Sequence, residues 1–140
     1  MRNKIRQICS LAALVIGLMI SAQAQTATQY RAHIPFDFNV GSTTFTAGDY
    51  AIGLTNPASG QQSLTIRDLK SGEAKMFQFL PKDSDGLSEI SQLVFNRYDD
   101  QYFLGEMTTP TLSAKFRKAK FESRLAKMQK PEQEKINMKR

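Results

Sequence analysis

Residues 30–40 read "YRAHIPFDFNV", with Tyr30, Ala32, Ile34, Phe36, Phe38 and Val40 on the even positions. The odd positions carry Arg31, His33, Pro35, Asp37 and Asn39. Successive side chains of a strand point to opposite faces, so this period of two predicts a strand with one face buried and the other in water. Pro35 has no N–H to give to a ladder, which predicts an edge, a bulge or a corner near Ile34. Gly41-Ser42 follows, a two-residue Gly-X connection of the type II′ hairpin kind, and Thr43 to Phe45 is the short return strand. Gly48 then stands where a type II turn requires positive φ, and Tyr50, Ile52 and Leu54 resume the alternation.

The same signals continue outward. "SLTIRD" (63–68) and "AKMFQFL" (74–80) flank "LKSGE", and "SQLVFNRY" (91–98) and "YFLGEM" (102–107) flank a turn at Asp99-Asp100. Each is a hairpin pattern. "NPASGQ" and "PKDSDG" read as loops. About seven short strands joined by tight turns predict an all-β domain over 25–112, an antiparallel meander closed into a small barrel or sandwich. From Ser113 the period changes. "SAKFRKAKFESRLAKMQK" is rich in helix formers, and Phe121, Leu125 and Met128 recur at helical spacing. An amphipathic basic α-helix is predicted over 113–130, its apolar stripe packed on the barrel and its cations in water. Pro131 ends it, and the polar 131–140 is expected to be a flexible tail.

The N-terminus has the layout of a secretory signal. Arg2, Lys4 and Arg6 precede an apolar run from Ile8 to Ile20, and Ala22-Gln23-Ala24 ends it as an A-x-A site. The expectation is a Sec-type signal peptide over 1–24, cut between Ala24 and Gln25, with the product periplasmic or secreted. The run is shorter than the roughly 20 residues that span a bilayer, so no membrane span is expected after cleavage. Cys9 is the only cysteine of the 140 residues and leaves with the signal. Thiol catalysis and cysteine-held zinc are thereby excluded, and the core must hold without disulfides. Charge divides sharply: residues 25–112 carry six Lys/Arg against ten Asp/Glu, and 113–140 carry ten against three. A mildly acidic body bears a basic end.

"IPFDFNVG", "FTAGDYAI", "LVFNRYDDQYFLGEM" and the basic "KFESRLAK" together resemble a family of small uncharacterised secreted bacterial proteins. Its members carry blocks similar to I-P-F-D-F-x-V-G, L-P-A-G-x-Y and L-V-F-x-R-Y-G-D-x-Y-F-L. The chain departs from that pattern at Thr46, where the family has proline, and at Asp99, where it has glycine. The resemblance implies export and a β domain; it implies no activity.

Chemistry-bearing residues are sparse. His33 is the single histidine, on the polar side of the first strand, with no nucleophile elbow in the sequence. Asp83/Asp85 and Asp99/Asp100 pair carboxylates, but in turns, where Asp caps backbone. "DSDGLSE" echoes half a calcium loop; with Gly86 at position 6, Pro81 and Gln92 fall where the anchoring carboxylates belong. No catalytic residue, metal or cofactor is expected, nor nucleic acid, since the body is acidic and the chain exported. His33, Asp37, Tyr98 and Tyr102 are the candidate ligand contacts, joined by Asn39 on the outward strand face and by Asp49 at the second corner. The function expected is that of a non-enzymatic binding or structural protein of the cell envelope. Its partner would be an envelope protein, an anionic lipid surface or a polysaccharide, met through 113–140. The alternative is a carrier of a small apolar ligand inside the barrel, with a hydrolase third. A centre filled by Phe36, Phe38, Ile52 and Phe95 would speak against the carrier.

Overall fold

The computed structural model describes residues 28–55, 62–82 and 89–140. The expected signal peptide with its Ala24-Gln25 cleavage point, the "NPASGQ" loop and the Asp83/Asp85 pair lie outside the described residues. In chain order the elements are β1 (Thr28–Ile34), β2 (Phe38–Val40), β3 (Thr43–Phe45), β4 (Gly48–Thr55), β5 (Ser63–Asp68), β6 (Ala74–Gln78), β7 (Leu80–Pro81), β8 (Gln92–Tyr98), β9 (Gln101–Thr108), β10 (Ser113–Lys115), α1 (Lys120–Met128) and β11 (Glu132–Asn137). Over the described residues the fold is all-β with a C-terminal helix, two sheets curled into a half-barrel. No helix among the described residues is long and apolar enough to cross a membrane.

The opening stretch serves both sheets. Tyr30, Ala32 and Ile34 of β1 are buried and Arg31 and His33 exposed, as the alternation requires. β1 pairs antiparallel with β4 along its whole length, from Thr28 opposite Leu54 to Ile34 opposite Gly48. At Pro35 the strand stops, and from Phe38 the chain runs in the second sheet, where β2 lies parallel to β9. A residue without an N–H is thus the corner at which the chain changes sheets. The first sheet has the order β1-β4-β5-β6; the second has β11-β8-β9-β10-β7, with β2 and β3 beside β9.

Among the described residues eleven strands stand where about seven were expected, because short pieces such as β7 and β10 are too brief to show a period. The runs β4-β5-β6 and β8-β9-β10 are meanders. β1 with β4, β2 with β9 and β11 with β8 join segments distant in sequence. Gly41 has φ +59, as the Gly-X hairpin requires. Gly48 is a correction: it opens β4 opposite Ile34 without positive φ. That corner is held instead by the Asp37 carboxylate, whose Oδ1 accepts the Ala47 N–H at 2.8 Å, and by the Tyr50 hydroxyl, which donates to the Thr46 carbonyl. Asp99-Asp100 does make the β8–β9 turn, with Asp99 at φ +52.

The C-terminal segment differs most from expectation. Residues 113–115 are a strand, and the helix covers only Lys120–Met128. The supposed flexible tail is β11, in register with β8 from Glu132 opposite Arg97 to Asn137 opposite Gln92. Arg31 and Lys139 then exchange backbone hydrogen bonds of 2.7 and 2.9 Å, tying β1 to the chain end. The side chains of Glu132, Gln133, Glu134 and Lys135 are all exposed, so over these residues β11 is held by the backbone of β8, and only at Ile136 does it pack against the core. Buried Met138 anchors it.

Ile34, Ile52, Leu64 and Phe95 are wholly buried between the sheets. Phe38 meets Phe95 edge-on at 5.4 Å between centroids and Tyr50 at 5.3 Å. Phe36, half-buried, meets Phe95 at 5.2 Å. Burying a side chain of this size contributes roughly 1.5–3 kcal/mol.

Candidate functional site

The candidate ligand contacts do not converge. His33 lies on the solvent face of β1, directly across the ladder from Asp49, and its Nδ1 sits 2.8 Å from the Asp49 carboxylate. Both side chains are about two-thirds exposed, so water and salt weaken the pair. With Arg31, Lys139, Leu69 and Ile136 they line an open groove of about 630 Å³ where β1 meets the chain end. Asp37 is engaged with Ala47, as described. Asn39 accepts the Thr44 hydroxyl at 2.8 Å, which fixes the β2–β3 hairpin. Tyr98 is buried, its hydroxyl without a hydrogen-bond partner among the described residues. Tyr102 stacks on Phe36 at 3.8 Å, with the Arg97 guanidinium 5.8 Å from its ring. These contacts build hairpins and core, and none leaves a set of groups aimed at one point. Among the described residues no group of three or more His, Cys, Asp or Glu could hold a metal ion.

The feature that stands out is α1, which is rotated from the predicted orientation. Of the expected packing stripe Leu125 is half-buried while Phe121 and Met128 are exposed, and the residue buried against the sheet is Glu122. The seat for it is prepared on β8 and β9. A register shift between Val94 and Phe95 leaves Gly105 as the extra residue of a bulge, and its carbonyl accepts the Phe116 N–H at 2.9 Å. A Cβ at Gly105 would lie 2.7 Å from Nδ2 of Asn96. With no side chain there, the Asn96 amide reaches the helix and donates to Oε1 of Glu122 at 3.1 Å. Burial raises the Glu122 pKa above the ordinary 4.5, opposed by the Asn96 hydrogen bond and the nearby charge of Lys118.

One consequence concerns charge. In residues 113–131 Glu122 is the only carboxylate, against seven cations, and all seven, from Lys115 to Lys130, are exposed. Turning Glu122 inward leaves that stretch purely cationic toward solvent. Lys118, Lys120, Ser123, Arg124 and Lys127 line a shallow depression of about 480 Å³. Sequence reasoning found the basic segment and missed the rotation of the helix that buries Glu122. The available signal was Gly105, since a glycine inside a strand marks a bulge or a close approach.

No family model, curated protein or solved structure matches the chain.

Proposed function

We propose that this is an exported, non-enzymatic binding protein of the cell envelope, and that it engages an anionic envelope component through the C-terminal segment 113–140. The observation that carries this reading is the solvent-facing cationic depression of Lys118, Lys120, Arg124 and Lys127, whose lining holds no carboxylate because Glu122 is buried. Clustered cations attract polyanions over about a Debye length and hold them at contact. The signal-like N-terminus and the resemblance to a secreted family support export.

The apolar-ligand carrier is less well supported. Phe38, Ile52 and Phe95 are buried, and the rings of Phe36 and Phe38 each meet that of Phe95, so the region between the sheets is occupied by the protein's own side chains. A hydrolase would need a nucleophile beside His33, and the lining of that groove includes no Ser, Thr or Cys among the described residues.

Deleting 113–140 would not test the proposal, because it removes β10 and β11 from the sheet. Charge reversal does. Retention of the wild type on envelope extracts should be lost in the variant Lys120→Glu, Arg124→Glu, Lys127→Glu, whose sites are exposed. Equal retention of both forms would refute the reading.

A further inference from the structure

We infer that the outward face of α1 docks on a bilayer containing anionic lipid; this rests on the envelope-binding reading above and names its component. The helix carries the wrong residues outside for a helix that only covers a sheet: Phe121 is 46% exposed and Met128 75%, while Glu122 is buried. Leaving apolar side chains in water and taking a carboxylate out of it both cost free energy. A surface that covers Phe121 and Met128 recovers the first cost.

The neighbouring charges say what kind of surface that is. At 3.6 residues per turn, Lys120, Arg124 and Lys127 share one arc of the helix, and Phe121 and Met128 border it on one side. The Arg124 guanidinium lies 5.8 Å from the Phe121 ring centroid. Phe121 is held from behind by buried Phe103, centroids 6.3 Å apart, which presents its ring at a fixed place. A lipid interface accepts both kinds of group at once: phosphates meet the cations, and the ring and thioether enter the acyl boundary beneath them. A soluble polyanion would use the cations and gain nothing from Phe121 and Met128. A helix of nine residues is far too short to span, so it lies in the interfacial plane.

The test uses protein purified from the producing cells, wild type and variants side by side, so that the N-terminus is common to every arm. It is sedimented with vesicles of phosphatidylglycerol and phosphatidylethanolamine, and with vesicles of phosphatidylcholine alone. Binding is expected to the first and not the second, weakening as salt is raised. Arg124→Gln and Lys127→Gln should each lower the partition about fivefold, and Phe121→Ala with Met128→Ser together about tenfold. Met128→Ser alone, at a site that is 75% exposed, should show part of that loss with an unchanged circular dichroism spectrum. Equal binding to neutral vesicles overturns the inference. So does indifference to Phe121→Ala and Met128→Ser, which would mean attraction to phosphate alone. Retention on lipid-free envelope polymer with no vesicle binding overturns the lipid assignment and leaves the envelope-binding reading standing; loss of both removes the two together.

Discussion

At Asp99 a non-glycine residue holds φ +52, in the left-handed region where a Cβ crowds the following carbonyl. Its backbone carbonyl accepts the Arg97 Nε–H at 2.8 Å, and among the described residues its side chain has only a long 3.4 Å contact from Gln129. Asp99→Gly should therefore raise stability by about 0.5–1 kcal/mol, seen as a higher urea midpoint at unchanged slope; a lower midpoint would mean that the carboxylate contributes more than its geometry suggests. Glu122 gives a prediction in pH. Its folded-state pKa is raised above the ordinary 4.5 by burial, so its stabilising share is complete below that value and is lost as pH rises through the folded value. Glu122→Gln keeps a hydrogen-bonding group and has no proton to lose. Wild type should fall in stability relative to Glu122→Gln between acid and neutral pH, and parallel urea midpoints across that range would refute the assignment.

At the scale of the element, α1 is short and poorly started. Ala119 occupies the N-cap with extended backbone and offers no side-chain acceptor to the first turn. Ala119→Ser places a hydroxyl there and should stabilise the protein by about 1 kcal/mol, measured by the denaturation midpoint together with the helical signal; no change would show that the helix is held wholly by its seat on β8 and β9. That seat explains why the expected orientation was wrong. Phe121, Leu125 and Met128 do have helical spacing, and from the sequence an apolar stripe is the natural inner face. The strand bulge at Gly105 and the Asn96 amide above it offer a polar partner at the contact point, and Glu122 satisfies it. Hydrogen-bond satisfaction in a buried place outweighed the apolar stripe, since an orphaned amide there would cost about 1–3 kcal/mol.

At the scale of the whole molecule, the C-terminal strand closes the sheet. β11 covers the edge of β8 over six residue pairs and passes on to Lys139, which ties to Arg31 of β1. Removing residues 132–140 exposes the β8 edge and unfastens β1, so that truncated chain should lose several kcal/mol of stability and tend to aggregate through the open edge. Thermal unfolding and sedimentation check this; an unfolding midpoint equal to the full chain's would restore the tail to the frayed segment its sequence suggested. The same pairing makes 113–140 a structural part of the domain as well as the bearer of its cations, so partner binding has to be probed by surface substitution.

The alternation in "YRAHIPFDFNV", the Gly41 and Asp99-Asp100 turns and the block of cations after Ser113 were legible in the sequence, because each depends on neighbours two to four residues apart. That is enough for an all-β fold with a basic helix near its end. Which strands meet was decided only in three dimensions: β1 with β4, β2 parallel to β9 and β11 on β8 follow from backbone groups seeking partners across long separations, which no local period records. The candidate site has the same history. The sequence supplied the cations of 115–130, and the packing of Glu122 against Asn96 over a glycine left the depression of Lys118, Lys120, Arg124 and Lys127 without a carboxylate and turned Phe121 and Met128 to the outside.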